Sequence, residues 1–133
     1  MSTFHLTITT PDGLIYDGDV ERIRARMIDG DVCLLARHED YVSAVGAGEA
    51  AIALTDGKVL RAACIGGMLT MIGGEATLIA TTFEWAEQID LARAQRAKKV
   101  AEERIAAAKS DRRELMLAEA KLQRALVRIG VKH

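Results

Sequence analysis

Phe4, Leu6 and Ile8 alternate with His5, Thr7 and Thr9, the two-residue period that turns one side of a strand to a core and the other to water. Pro11-Asp12-Gly13 follows and predicts a turn, because proline presets one backbone angle and glycine accepts a positive one. Alternation resumes with Ile23, Ala25 and Met27 against Arg22, Arg24 and Arg26, and Asp29-Gly30-Asp31 ends it. Ala50, Ile52 and Leu54 alternate again before Thr55-Asp56-Gly57-Lys58, which has the composition of a hairpin turn. Residues 32–35, 41–45, 59–63, 68–72 and 76–81 supply further strand-like runs. Short strands broken by turn signals roughly every eight to twelve residues predict a β-sandwich or barrel. We place it over residues 3–84.

The pattern changes after Glu84. Ten of the eleven glycines and the single proline lie before it, and alanine, arginine, lysine and glutamate dominate after it. Those four are strong helix formers. Ala97, Ala101, Ile105 and Ala108 share one stripe of a first helix that starts near Asp90. Ser110-Asp111 interrupts it, and Asp111 followed by Glu114 has capping-box spacing for a second helix. There Leu115, Ala118, Leu122, Ala125 and Ile129 recur at steps of three and four, the narrow seam of a helix pair. The expected fold is α+β: an N-terminal β-sandwich (1–84), then an antiparallel two-helix hairpin (85–133) with helices over 90–108 and 112–129. About forty residues bury too little surface to stand alone, so the hairpin must dock on the sandwich or on a partner.

Charge follows the same division. The net charge of −1 hides 12 acidic and 6 basic residues in 1–84 (−6) against 7 acidic and 12 basic in 85–133 (+5). Such asymmetry marks two segments with different partners. The longest nearly apolar run, 62–72, holds two glycines and a threonine and falls short of the ~18 residues a bilayer crossing needs. No basic flank followed by an apolar run opens the chain, so no secretory leader is expected. Cys33 and Cys64 sit in apolar segments and are expected to be small core residues, not a disulfide. Together these favour a reducing, cytoplasmic setting.

Residues for chemistry are scarce. His5, His38 and His133 have no metal-ligand spacing with either cysteine. Ser43 lacks the flanks of a nucleophile elbow. No Gly-Lys-Ser/Thr follows Gly66-Gly67 or Gly73-Gly74, so these pairs read as turn or close-packing positions, not phosphate loops. The basic hairpin carries a single aromatic, Trp85, and interleaves acids with its bases, which argues against nucleic acid. At the start of the first helix, Asp90 and Arg93 stand three residues apart, and Arg124 and Arg128 lie one turn apart on the second. A cap at Asp90 and a solvated Arg93 is the plainer reading. The three arginines together could converge on a phosphate tail through forked, charge-assisted bonds.

The order of these parts, with three short motifs, resembles the epsilon subunit of bacterial F-type ATP synthase over 4–131. That family carries a loop reading Gly-x-x-Gly-Ile-Leu-Pro-Gly-His-x-Pro-Leu. Here Gly30, Leu35 and His38 match it, while Cys33, Ala36, Arg37, Asp40 and Tyr41 depart. Gly66-Gly67-Met68-Leu69 is similar to the family's Gly-Gly-Phe-Leu stretch. Ile89, Asp90, Arg93 and Ala94 meet the Ile/Leu-Asp-x-x-Arg-Ala motif in full.

The resemblance implies a non-catalytic rotor component of the central stalk, peripheral at the cytoplasmic face of the cell membrane. Its sandwich would bind the gamma subunit and touch the membrane c-ring through the loop of Asp31 and His38, coupling ion flow to ATP synthesis. Its hairpin would lie folded, or extend toward the alpha/beta head and obstruct ATP hydrolysis, with Arg112, Arg113, Lys121 and Arg124 facing acidic beta-subunit segments. It implies no resident cofactor. Regulatory ATP, with magnesium, would bind the folded hairpin at Glu84, Ile89, Asp90, Arg93, Ala94, Arg124 and Arg128. Val100 stands where ATP-binding members have a further arginine, which implies weak affinity. The alternative reading is a stand-alone ligand-binding sandwich whose hairpin dimerises it.

Overall fold

The computed structural model describes residues 2–132; Met1 and His133, among them the third histidine considered above, lie outside the described residues. Seven strands come first: β1 (Phe4–Thr10), β2 (Gly13–Met27), β3 (Gly30–Leu35), β4 (Tyr41–Ala44), β5 (Ala47–Leu54), β6 (Val59–Ile72) and β7 (Glu75–Trp85). A 3₁₀ turn, Ala86–Gln88, leads to helices α1 (Leu91–Ala108) and α2 (Arg112–Lys132). This is the sandwich followed by a hairpin that the periodicity predicts.

Pairing runs β1-β7-β6-β5-β2-β3, with β4 on β6, and β1 also pairs with β2. The order therefore closes on itself, and β3 and β4 are left as the flanks. β2 is long enough to serve two partners in turn: its first half lies against β1, its second against β3 and β5. The alternating residues behave as their spacing requires. Phe4, Leu6, Ile8, Ile23, Ala25, Met27, Ile52, Leu69, Leu78 and Ala80 join one core, while Arg22 and Arg26 stay exposed.

Two sequence expectations change. Residues 59–63 and 68–72 belong to one strand, because Gly66-Gly67 does not turn the chain. Gly67 takes a positive φ of 108°, and a Cβ there would collide with the Ile79 carbonyl of β7. The pair is thus a close-packing irregularity inside β6, where only glycine fits. Cys64 is buried as expected, but Cys33 is exposed on the flanking strand β3. Its neighbour Leu34 takes the inward position instead, and adjacent strand residues must point to opposite faces.

The helices are capped by the residues that predict the caps, and the seam keeps the predicted positions except on α1, where Ala97 is exposed beside the groove and Ala94, three residues earlier, takes the buried place. Asp90 Oδ1 accepts from the Arg93 N–H at 3.0 Å, and Asp111 Oδ1 from the Glu114 N–H at 3.2 Å. Ala94, Ala101, Ala118 and Ala125 are buried, so the two helices approach closely. α2 is the helix that lies on β5, β6 and the 3₁₀ turn. Docking rests on a small cluster, Ala63 of β6, Ile89 and Val131, with Ala86 and Val127 packed against it. No described helix is long and apolar enough to cross a membrane.

Candidate functional site

The strand-to-helix junction and the far end of α2 meet at one place. Glu84, next to last in β7, faces α2, and Arg128, about four and a half turns along that helix, donates from Nε to Glu84 Oε1 at 3.0 Å. Both side chains are about one-third exposed, at 29% and 33%. One turn further on, Lys132 Nζ donates to the Ala86 carbonyl at 3.0 Å. These two polar contacts flank the apolar docking cluster and tie the C-terminal end of the hairpin to the sandwich.

Around the ion pair lies a recessed cavity of about 280 Å³, lined by Glu84, Gln88, Asp90, Arg93, Ala94, Ala97 and Arg128. Two carboxylates and an amide make its wall rich in acceptors, suited to hydroxyl or amino donors on a ligand. Next to it, sharing Arg93, Ala97 and Arg128, a more open groove of about 550 Å³ runs between α1 and α2. Val100 and Ala101 contribute apolar floor, and Arg96, Arg104, Lys121 and Arg124 line the rest. Among the described residues, no carboxylate lines this groove. The two spaces differ in chemistry: the first sets carboxylates and an amide beside Arg93 and Arg128, and the second presents cations alone.

The residues singled out in the sequence fall into distinct places. Glu84, Asp90, Arg93, Ala94 and Arg128 line the cavity together. Ile89 is 3% exposed in the docking cluster and holds the junction from beneath. Arg124 lines the groove only, beside Lys121. Asp90 is the helix cap, the plainer reading of that residue, and it also lines the cavity. Arg112 and Arg113 are exposed in the first turn of α2. They stand about 13 Å along the helix from Lys121, so the four cations expected to face one partner divide into two sites.

Asp31 and His38 are not brought together. Asp31 is the second residue of β3 and pairs across the ladder with Arg26, Nη1 to Oδ1 at 3.7 Å. His38 lies three residues beyond the other end of β3, where Nδ1 donates to the Glu39 carbonyl at 2.7 Å and the ring meets Tyr41 edge-on. In the same loop Arg37 holds a left-handed φ of 66°, at the position the resembling motif fills with glycine. Asp40, another departure, accepts from the Gly73 N–H at 3.1 Å and ties the loop to the β6–β7 turn.

Sequence reasoning missed Gln88, Arg96 and Arg104. A signal for the arginines existed: they stand four residues before and after Val100, hence on its helical stripe. The charge absent at Val100 is present one turn to either side. Gln88 carried no signal, since it acts through a local turn in which its Oε1 accepts from the Trp85 N–H at 3.3 Å. Elsewhere among the described residues, no three His, Cys, Asp or Glu side chains group to hold a metal.

Comparison with known proteins adds a second, independent line. A family model described as "ATP synthase, Delta/Epsilon chain, beta-sandwich domain" matches residues 3–86, and one described as "ATP synthase, Delta/Epsilon chain, long alpha-helix domain" matches residues 87–132. The ATP synthase epsilon chain of Shouchella clausii is 36% identical, covering 98% of this chain and 96% of that one. That of Bacillus velezensis is 38% identical, with 98% of each chain covered. Among solved structures, a chain of the Euglena gracilis mitochondrial ATP synthase has a similar fold, with a TM-score of 0.89 at 21% identity. That match covers 100% of this chain and 83% of the other.

Proposed function

The chain belongs to the delta/epsilon family of ATP synthase subunits, as an epsilon chain, and on that premise we propose that it is a rotor subunit coupling transmembrane ion flow to ATP synthesis and restraining ATP hydrolysis through its hairpin. It performs no bond-making chemistry itself. The sandwich carries the coupling contacts, to the gamma subunit and, through the Asp31 and His38 regions, to the c-ring. The hairpin carries regulation, and Arg112 and Arg113 at its free end meet acidic segments of the catalytic head. The subunit sits at the cytoplasmic face of the membrane, held there by the complex.

The observation that supports this division is the imbalance of buried surface. Seventeen buried residues hold the sandwich together, whereas three hold the hairpin to it. At ~1.5–3 kcal/mol for each large apolar side chain removed from water, undocking α2 costs a few kcal/mol, while opening the sandwich costs many times that. The hairpin can therefore leave while the sandwich stays folded. The folded state is the one that assembles Glu84, Asp90, Arg93 and Arg128 into a cavity, and regulatory ATP bound there favours it by differential affinity. Its triphosphate lies toward the cationic groove and its sugar and base toward the acceptors.

Truncation tests the division. Removing residues 85–133 should leave assembly, capture of gamma and ATP synthesis intact while raising ATP hydrolysis by the complex. Loss of assembly would overturn it. For the nucleotide, calorimetric titration with ATP and magnesium should show saturable binding that Arg128→Ala weakens by ~1.5–3 kcal/mol, the value of a charge-assisted bond. Arg22→Ala, on the sandwich, should leave it unchanged.

A further inference from the structure

We propose that the interhelical groove binds linear polyphosphate chains longer than a nucleotide's triphosphate, so that phosphate polymers hold the hairpin folded. This rests on the folded hairpin carrying an anion site, and it does not require that the anion be a nucleotide. Three cations come from α1, Arg93, Arg96 and Arg104, and three from α2, Lys121, Arg124 and Arg128. Among the described residues, only Arg128 of the six has an acidic partner. The other five face one another across an apolar floor with no carboxylate to neutralise them.

Length and charge separate this ligand from a nucleotide. From Arg93 to Arg104 the groove wall extends about 16 Å at ~1.5 Å per residue. The nucleotide reading uses only the end at Arg93, Arg124 and Arg128, next to the acceptor-lined cavity. It leaves Arg104, about 16 Å along α1 from Arg93, beyond the last phosphate and repelling its cationic neighbours. A linear polyphosphate carries about one negative charge per phosphoryl group at a short, regular interval. It is narrow, and it presents acceptor oxygens on every side to guanidinium groups on both walls, each able to form forked bonds. An acidic peptide spaces its charges more widely on side chains that must be ordered on binding, and it must also place a polar backbone over Val100 and Ala101. The groove favours the inorganic polymer.

Binding would couple to conformation. Arg93, Arg96 and Arg104 face Lys121, Arg124 and Arg128 only while α1 and α2 are paired, and Arg128 is at the same time the tether to Glu84. A ligand that needs both walls stabilises the paired helices and not the separated ones, and it shifts that equilibrium by the difference.

The experiment titrates the full chain calorimetrically with tripolyphosphate, with polyphosphate of about ten phosphoryl groups, with ATP, and with polyglutamate of matched charge. The ten-unit chain should bind at least tenfold more tightly than tripolyphosphate, with an affinity that falls steeply as salt rises. Arg104→Gln and Arg96→Gln should each cost the longer chain about tenfold, and Arg104→Gln, at the far end of the wall, should leave tripolyphosphate and ATP unchanged. The ten-unit chain should also protect the hairpin from limited proteolysis. Equal affinity for the two phosphate chains, indifference to both substitutions, or equal binding of polyglutamate would each overturn the proposal. ATP failing to bind while the ten-unit chain binds would sink the nucleotide reading and leave this one standing.

Discussion

Replacing Glu84 with glutamine separates the tether from the anion site, because the two respond in opposite directions. Glu84 and Arg128 make a 3.0 Å bond with each side chain about one-third exposed. Fully exposed pairs contribute ~0.2–1 kcal/mol, and charge-assisted bonds are about twice as strong as neutral ones. Glutamine keeps an acceptor for the Arg128 Nε–H but loses the charge, so docking should weaken by ~0.5–1 kcal/mol, a two- to fivefold shift toward the undocked hairpin. The same change removes the carboxylate that competes with phosphate for Arg128. Affinity for tripolyphosphate, which has no sugar or base to use the Glu84 carboxylate, should therefore rise about two- to fivefold, measured at saturating docked population. Cys33 is exposed and offers a natural attachment point on the sandwich for one dye, with the other at Ala107→Cys on α1. The docked fraction then comes from energy transfer in the wild type, Glu84→Gln, Arg128→Met and the double variant. The cycle should return a coupling of ~0.5–1 kcal/mol. Strict additivity of the two substitutions, or weaker anion binding by Glu84→Gln, would refute the tether.

Gly67→Ala should cost more than ~3 kcal/mol in chemical denaturation and leave little folded sandwich, since the new Cβ meets the Ile79 carbonyl at a positive φ. Alkylation at pH 8 should modify Cys33 and spare Cys64, whose thiol is buried and pushed up to about 12 by that burial; equal labelling of both in the native protein would contradict the placement. The Arg61 guanidinium, hydrogen-bonded to Glu49 at 2.8 Å from Nε and Nη2, holds the Glu49 carboxyl below its ordinary value of 4.5. Its stabilisation is present above pH 4.5 and lost as pH falls through the lowered value, so Glu49→Gln should flatten the acid limb of a stability–pH curve. His5 is shifted the other way, raised above 6.5 by hydrogen bonds to Asp17 and then Asp19. Its contribution is complete below pH 6.5 and disappears as pH climbs through the raised value, a decline that His5→Asn should abolish.

The strands were legible because their alternation is strict wherever one face is wet: Phe4-His5-Leu6-Thr7-Ile8 is buried and half-buried in turn. Where a glycine pair lacks side chains to alternate, the pattern stops, and β6 read as two strands. Only the register against β7 explains Gly67, and register is a long-range property. Cys33 misled for a related reason. Val32, Cys33 and Leu34 are all apolar, so composition could not say which of the three faces inward, and pairing with β2 decided for Leu34. The hairpin was read closely since caps and seam are local. Asp90 and Asp111 bond within three residues of themselves. The candidate site was half legible: its arginines recur at helical spacing, but Glu84 reaches Arg128 across 44 residues of chain. No local pattern announces a contact made by folding two segments together.

That long-range contact sets the scale on which regulation can work. Inverting a population from about 1:99 to 99:1 requires a differential affinity of roughly 5.5 kcal/mol. The docking of α2 rests on Val131 and Val127 against Ala63, Ala86 and Ile89, with two polar ties. It lies on the near side of that figure. One anion with two or three charge-assisted bonds at ~1.5–3 kcal/mol each is matched to it, provided those bonds need both helices. The sandwich, whose core runs from Phe4 to Ala80 through every strand but β4, is beyond the reach of any such ligand. Sensitivity to a small anion is thus confined to the hairpin by the distribution of buried surface. The alanines that let α1 and α2 approach closely, Ala94, Ala101, Ala118 and Ala125, are what bring the cations of the two walls within reach of one phosphate chain. Enlarging that seam with leucines would strengthen helix pairing by burial while spreading the walls, so stability and anion affinity would part company.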